Sequence, residues 1–151
     1  MQPRIRHATL VPELAKSLAA TSHKLHAGSL PRSLIDLVDV RISQINGCAY
    51  CLDLHAREFL ASDGDLQRLV SLPAWRETDA YSARERAALA WAESLTRVAD
   101  TNAPDTDFEP LREHFSDTEI AELTYAIAVM NAWNRLGVGL RSTAARKPLA
   151  G

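Results

Sequence analysis

The sequence predicts an all-α fold, and two observations lead to this prediction. Apolar residues recur at helical spacing along most of the chain, and the alternation expected of strands is nearly absent. The 151 residues suit one domain, covering 1–151, and a composition of 46% hydrophobic and 24% charged residues is typical of a globular protein. We therefore expect a single helical domain.

Four helices are predicted in the first half of the chain, separated by glycine and proline. Pro31 suits the first turn of the second helix, and Gly47 follows its last turn, as glycine does at helix C-termini. Asp63-Gly64 closes the third helix, and Pro73 follows the fourth. The predicted spans are 11–26, 32–46, 48–62 and 65–72. Apolar positions at helical spacing mark the first two: Leu14, Leu18 and Leu25, then Ile35, Val38, Ile42 and Ile45.

Two capping boxes open helices in the second half. In Ser82-Ala83-Arg84-Glu85 and Ser116-Asp117-Thr118-Glu119, a serine stands three residues before a glutamate, so that each side chain can bond the other residue's amide. The first box opens a helix that runs to about Val98. The second opens a long apolar helix that reaches Gly139 or beyond, and a short helix over 108–115 precedes it.

The charge pattern excludes several classes of partner. The formal net charge is −2, and neither sign accumulates in blocks, so nothing favours a nucleic acid or an anionic membrane. The first residues lack the apolar run of a secretory signal, and no apolar stretch reaches the roughly 18 residues of a membrane span. We expect a cytoplasmic protein, and in that reducing compartment a CxxC pair is more often redox-active or metal-binding than a structural disulfide.

Both cysteines of the chain lie in one short segment with a histidine. Cys48 and Cys51 are separated by three positions and His55 follows four later, which places all three on one helix face. Because Gly47 should end the preceding helix, the cysteines fall at a helix start, where the dipole favours an anion such as a thiolate. The helix start favours Cys48 as the attacking sulfur, whereas the i,i+4 relation places His55 closest to Cys51.

Three interpretations of this segment are open, and the redox dithiol is favoured. Two buried structural cysteines would not explain why both lie in one turn. A zinc site needs a fourth ligand, and no second CxxC or HxxxH supplies one. The remaining histidines are His7, His23, His26 and His114, of which His23 and His26 are expected at a surface or interface.

The cysteine segment also resembles a known signature. Residues 43–51, Ser-Gln-Ile-Asn-Gly-Cys-Ala-Tyr-Cys, followed by His55, are similar to the motif of the carboxymuconolactone decarboxylase superfamily, and more narrowly to its AhpD-like alkylhydroperoxidase branch. Further similarity lies at 73–78, 84–91 and 131–136, and the resemblance covers roughly residues 5 to 142.

The resemblance implies an AhpD-like all-helical subunit that assembles through its helices into trimers or hexamers. It implies thiol-dependent reduction of a hydroperoxide, with regeneration by an external thiol, protein or small, and without metal or organic cofactor. Cys51 corresponds to the peroxide-reacting cysteine, Cys48 to the cysteine that closes the disulfide, and His55 to a member of the proton relay that activates the thiol.

Two further residues take part by the same resemblance. Asp36 stands twelve residues before Cys48, where the family usually carries glutamate, and its shorter side chain would reach His55 through a bridging water. The alternative for Asp36 is a solvated helix carboxylate, as expected for Asp39. Tyr50 stands where some members carry histidine, and is either a proton donor or a half-buried ring.

Two rival functions are also considered. One is a lyase acting on a γ-lactone carboxylate, as in the branch that names the superfamily, although decarboxylation needs no pair of cysteines. The other is a non-catalytic oligomeric module that senses redox state or binds metal.

Overall fold

The computed structural model describes residues 2–62 and 64–144, and every regular element in those ranges is helical. This confirms the predicted all-α class. Asp63 of the predicted Asp63-Gly64 break, like Met1 and 145–151 of the predicted domain, lies outside the described residues. The helices are α1 (His7–Leu10), α2 (Pro12–His26), α3 (Arg32–Asn46), α4 (Ala49–Ala61), α5 (Leu66–Ser71), a 3-10 helix (Leu72–Glu77), α6 (Ala83–Thr96), α7 (Val98–Thr101), α8 (Asp105–Arg112) and α9 (Asp117–Gly139).

Both predicted capping boxes are present. The amide of Glu85 donates to the Oγ atom of Ser82 at 3.2 Å, and the amide of Ser82 donates to the carboxylate of Glu85 at 2.8 Å. The same reciprocal pair joins Ser116 and Glu119 at the start of α9. These local bonds satisfy amides that a helix start leaves unpaired, which is why the starts of α6 and α9 were correctly predicted.

The least accurate boundaries lie where proline continues a helix instead of ending it. Pro73 stands within the first two positions of the 3-10 helix, where a missing amide is tolerated, so the segment after α5 stays helical. The short helix predicted over 108–115 instead begins at Asp105 and contains Pro110. Asp105 and Asp107 in its first turn interact favourably with the helix dipole, a signal that the apolar pattern did not reveal.

The centre of the fold is α3, which packs against α4, α6 and α9. Of the four apolar positions noted at helical spacing, Ile35, Val38 and Ile42 are buried and Ile45 is partly buried. Two aspartates on the same helix, Asp36 and Asp39, are buried among them, which was not expected of Asp39. A buried carboxylate needs compensating partners, so these two residues mark the part of the core where polar chemistry concentrates.

Helix α2 differs from the amphipathic core helix that its leucines suggested. None of its residues, all of which the structure describes, is buried, and Leu14 is 70% exposed. The helix lies along α9, where the indole of Trp133 donates to the Oγ atom of Ser22 at 3.0 Å. The apolar stripe of α2 therefore faces solvent and a cavity instead of a packed core.

Within the described ranges, no helix combines the length and the apolar character that a bilayer span requires.

A buried glutamate ties the 3-10 helix to α3 and α6. Glu93 accepts hydrogen bonds from Arg41 at 2.8 Å, from the indole of Trp75 at 2.9 Å and from Arg76 at 2.7 Å. Burial acts to raise the pKa of Glu93, but the bonds from Arg76, Trp75 and Arg41 outweigh it and leave the pKa below its ordinary value. The charged form is therefore the one that the fold stabilises.

Replacing Glu93 with glutamine should destabilise the protein by about 2–3 kcal/mol at neutral pH, because two arginines lose their anionic partner in a partly buried site. Because the pKa of Glu93 is lowered in the folded state, the natural protein has the larger free energy of unfolding at pH values above the ordinary pKa of glutamate. This difference from Glu93→Gln disappears as the pH falls through the folded-state pKa of Glu93. Urea unfolding of Glu93→Gln at several pH values measures both effects. Glu109→Gln, at a side chain that is 63% exposed, is the matched control and should change stability by less than about 0.5 kcal/mol. An equal loss of unfolding free energy in Glu93→Gln and Glu109→Gln would contradict the stabilising role of the buried Glu93 carboxylate.

Candidate active site

The site begins where α3 ends and α4 starts. Gly47 adopts φ 67°, in the left-handed region that favours glycine, and this turns the chain out of α3. Cys48 is the N-cap of α4, and its sulfur accepts a hydrogen bond from the amide of Cys51 at 3.3 Å. Both cysteines therefore stand at a helix start, as the sequence predicted.

Cys48 and Cys51 are joined as a disulfide, with their Cα atoms 5.3 Å apart. Both residues are buried, with 1% and 4% of their surface exposed. The two sulfurs therefore point toward each other along one helical turn, which is the arrangement that a dithiol–disulfide cycle requires.

Cys51 lines a cavity beside the start of α4. A cavity of about 750 Å³ lies between α2, α3, α4 and α9, and among the described residues its lining includes Cys51 and not Cys48. Its wall is mainly apolar and includes Ile35, Leu54, Met130, Trp133 and Leu136. A small molecule in this cavity would therefore meet the sulfur of Cys51 first.

Helix α9 approaches the sulfurs through a glycine. A Cβ atom built on Gly137 would lie 2.7 Å from the sulfur of Cys48 and 3.4 Å from that of Cys51. The first distance is shorter than a Cβ contact allows, so the absence of a side chain at 137 makes room for the disulfide. No sequence pattern suggested Gly137, because its role depends on a contact between distant parts of the chain.

His55 is buried and is oriented by two carboxylates. Its Nδ1 atom lies 2.8 Å from the carboxylate of Glu58 and 3.8 Å from Oδ2 of Asp39. Because a carboxylate accepts hydrogen bonds, Nδ1 carries the hydrogen and Nε2 of the neutral ring is left as the acceptor. His55 lies one helical turn from Cys51 and lines the same cavity.

The predicted carboxylate, Asp36, has a different partner. Oδ1 of Asp36 accepts a hydrogen bond from Arg32 at 2.8 Å, and its other oxygen has no hydrogen-bond partner among residues 2–62 and 64–144. Arg32 also lies 3.6 Å from Glu58. The structure thus connects Asp36 with His55 through Arg32 and Glu58, a path longer than the single water that we expected.

Asp39, expected to be a solvated carboxylate, instead lies between two histidines. Its Oδ2 atom is 3.8 Å from His26 and 3.8 Å from His55. Burial raises the pKa of the Asp39 carboxyl, although the neighbouring imidazoles act in the opposite direction. His26, predicted at a surface or interface, lines the cavity. The position of Asp39 within the apolar run of α3 was the feature of the sequence that could have indicated its burial.

Tyr50 also lines the cavity, with 45% of its surface exposed. Glu58, which the sequence analysis did not single out, stands three residues after His55, a spacing that could have revealed it. The structure therefore places Tyr50, Cys51 and His55 around one cavity, with Cys48 behind Cys51 and Asp36 linked to them through Arg32.

Comparison with known proteins identifies a matching family and a similar protein of nearly the same length. Residues 12–94 match the model of the carboxymuconolactone decarboxylase family. The chain is 32% identical over 147 residues to an uncharacterized protein, YdfG, of Bacillus subtilis strain 168, covering 97% of this chain and all of that protein.

Two solved structures are similar to this fold. One is a protein of unknown function from Agrobacterium tumefaciens, provisionally described as an antioxidant defence protein AhpD, with 40% identity, a TM-score of 0.93, and coverage of 97% of this chain and 100% of that chain. The other is an uncharacterized peroxidase-related protein from Silicibacter sp. TM1040, with 26% identity, a TM-score of 0.76, and coverage of 85% and 68%.

Replacing Gly137 with alanine should destabilise the oxidised protein by about 1–3 kcal/mol, because the new methyl group overlaps the sulfur of Cys48. The disulfide should also re-form more slowly after reduction, as measured by loss of free thiols. Gly139→Ala, at a position on the same helix where an added Cβ meets nothing within 4 Å, is the matched control. It should be neutral or stabilising by up to about 1 kcal/mol, as alanine usually is in a helix. Similar stability and thiol oxidation in both variants would show that Gly137 does not make room for the sulfurs.

Proposed function

Since the chain belongs to the carboxymuconolactone decarboxylase family, we propose that it is an AhpD-like thiol peroxidase that reduces organic hydroperoxides through the Cys48–Cys51 pair. The family match and the structure described as AhpD confirm the resemblance expected from the cysteine segment. The observation that carries the proposal is the placement of Cys51, bonded to Cys48, at the wall of a cavity that it shares with His55.

The proposed cycle begins with the reduced dithiol. Nε2 of His55 takes the proton of the Cys51 thiol, and the thiolate attacks the terminal oxygen of the hydroperoxide. The O–O bond breaks, the alkoxide leaves as an alcohol after gaining a proton, and Cys51 becomes a sulfenic acid. The Cys48 sulfur then attacks the Cys51 sulfur, water leaves, and the disulfide forms. Two equivalents of an external thiol return the pair to the dithiol.

The position of Cys51 supports its assignment as the peroxide-reacting residue. Sequence reasoning left Cys48 and Cys51 as alternatives until the family resemblance was used. The structure adds an independent physical argument, because Cys51 lines the cavity and Cys48 lies against Gly137 on α9. A sulfur behind its partner suits the resolving step, which needs contact with Cys51 and not with substrate.

The orientation of His55 supports its assignment as the base. Hydrogen bonding of Nδ1 to Glu58 holds the ring in one tautomer and directs the basic nitrogen away from the carboxylates. The negative charge of Glu58 and Asp39 also favours the imidazolium that forms when the thiol loses its proton. In this proposal Asp36 would contribute through Arg32, and Tyr50, which lines the cavity, would donate a proton to the leaving alkoxide.

The dimensions of the cavity support an organic substrate. A volume of about 750 Å³ is typical of sites for organic ligands and exceeds what hydrogen peroxide occupies. The apolar wall suits the alkyl group of a hydroperoxide, while the polar end carries the histidine. The external thiol would reach Cys51 by the same opening.

Association into a homo-oligomer, a trimer or a hexamer, is part of the proposal. Several large apolar side chains near the N-terminus are exposed, among them Leu10 at 67% and Leu14 at 70%. Apolar groups concentrated on one part of a surface favour association because burying them removes apolar area from water.

Replacing Cys51 with serine should reduce turnover of cumene hydroperoxide by more than about 1,000-fold, because the attacking thiolate is lost. Replacing Cys48 with serine should leave one oxidation per chain and a sulfenic acid on Cys51 that dimedone traps. Peroxide consumption with dithiothreitol as reductant measures the first effect. Mass spectrometry of the peptide containing residues 48–51, after oxidation with dimedone present and no added thiol, measures the second.

Undiminished peroxide turnover in Cys51→Ser would reject the mechanism. Turnover of a γ-lactone carboxylate that survives alkylation of both thiols would favour the lyase instead. A dithiol that oxidises only once, whatever thiol is offered, would favour the redox sensor.

Removing the carboxylates near His55 should have graded effects on the rate of Cys51 oxidation. Glu58→Gln and Asp39→Asn should each slow it by about 10- to 100-fold, since the ring loses its orientation and its compensating charge. Asp36→Asn should slow it less, by about tenfold or under, because Asp36 acts through Arg32. Stopped-flow fluorescence of the reduced protein with peroxide measures these rates.

Asp53→Asn provides the control for these variants, since Asp53 lies on α4 and pairs with Arg57 at the surface. The rate of Cys51 oxidation in Asp53→Asn should remain within about twofold of that of the natural protein. A large loss in Asp36→Asn together with an unchanged rate in Glu58→Gln would contradict the path through Arg32.

A further inference from the structure

A single carboxylate oxygen on α3 is shared by imidazoles from two other helices. Oδ2 of Asp39 lies 3.8 Å from Nε2 of His26, at the end of α2, and 3.8 Å from Nδ1 of His55, on α4. The side chain of Asp39 is only 7% exposed, and that of His26 is 18% exposed. His26 therefore brings α2 within 4 Å of the Asp39 carboxylate on α3.

A buried carboxylate needs a positive partner to remain ionised. Burial raises the pKa of Asp39, and the two imidazoles counteract this effect. Arg32 donates to Asp36 at 2.8 Å and lies 3.6 Å from Glu58, and its charge also acts on Asp39 from a longer distance. Among the described residues, the cationic groups recorded within 4 Å of Asp39 are thus the two histidine rings.

The other titratable or charged side chains around the pair come from α1, α2, α3 and α4. α9 contributes only uncharged residues to the cavity in the part of the chain that the structure describes. Titratable or charged side chains that face the pair or line the same cavity are Asp36 and Arg32 on α3, Glu58 and Tyr50 on α4, His23 on α2 and His7 on α1.

A protonated His26 neutralises part of the Asp39 charge that otherwise acts on His55, whereas Glu58, at 2.8 Å, acts on His55 whatever the state of His26. A positive charge on His26 therefore weakens the attraction of Asp39 for a proton on His55. With His26 removed, the charge of Asp39 acts on His55 alone.

We propose that His26 is a positioning residue that acts through Asp39 to set how strongly His55 holds its proton, and so the pH at which Cys51 reacts. This inference rests on the proposed function, in which His55 is the base for Cys51. It assigns a chemical role to α2, a helix that otherwise contributes only wall to the cavity. His26 does not touch the sulfur or the substrate in this role.

The test is a titration of the histidine rings in the full-length reduced protein by NMR between pH 4.5 and 9. In His26→Gln the midpoint of His55 should rise by about 0.5 pH unit or more, because the competing cation is gone. In the Asp39→Asn background the same substitution should move the midpoint by less than about 0.2 unit, since the shared carboxylate is gone. A merely structural role of His26 would not produce this dependence on Asp39.

His23→Gln is the matched control, because His23 lies on the same helix and lines the same cavity. The structure records no ion pair between His23 and Asp39 within the described residues, so the midpoint of His55 should stay within about 0.2 unit. His26→Asn should reproduce the shift of His26→Gln. Circular dichroism establishes that each variant is folded.

The pH profile of iodoacetamide alkylation of Cys51, measured in the Cys48→Ser protein, is the second readout. Its midpoint should change by about 0.5 unit with His26→Gln and not when Asp39 is already asparagine. An unchanged His55 midpoint in His26→Gln, or an equal shift with and without Asp39, would overturn the proposal, as would an unchanged alkylation profile. None of these measurements uses a peroxide, so failure of the proposed peroxidase activity is detected separately.

Discussion

The close crossing of α9 over the start of α4 is the constraint on which the site depends. At Gly137 the backbone of α9 approaches both sulfurs so closely that a methyl group would overlap that of Cys48. The side-chain amide nitrogen of Asn46, at the end of α3, donates to the side-chain oxygens of Asn131 and Asn134 of α9, each at 2.9 Å, and links the two helices. Two cysteines that are similar in sequence context become different in this packing, because one faces a cavity and the other faces a helix.

The second constraint is electrostatic. Asp36 and Asp39 are buried on α3, and Arg32 is the arginine that the structure records within 4 Å of both Asp36 and Glu58 among the described residues. Such an arrangement costs stability, since buried carboxylates lose their hydration, and perturbed titratable groups in a cavity are typical of functional sites. The excess of negative charge is directed at His55, which is the group that must accept a proton in the proposed cycle.

Helix α2 contributes to both the cavity and the charged groups, although none of its described residues is buried. Without a buried residue of its own, it is held along α9 by contacts such as the bond between Trp133 and Ser22. Its inner face completes the cavity and supplies His26, while its outer face leaves Leu14 exposed. The apolar stripe of α2 is therefore divided between the cavity and the solvent, and under the proposed association the exposed part would face another subunit.

The sequence by itself determined the helical class, most helix boundaries, both capping boxes and the helix start that carries the thiols. These features depend on residues at most four positions apart, for which periodicity, serine–glutamate pairs and Gly47 are sufficient signals. Family resemblance added the expected roles of Cys48, Cys51 and His55, with Asp36 as the relay carboxylate.

Only the tertiary structure decided which carboxylates meet His55, which cysteine faces the cavity, and why residue 137 has no side chain. Asp36 and Asp39 are three residues apart on one helix, and their different partners are set by how α2 and α4 pack on α3. No local pattern encodes that packing, because it is the sum of many apolar contacts between segments far apart in the chain.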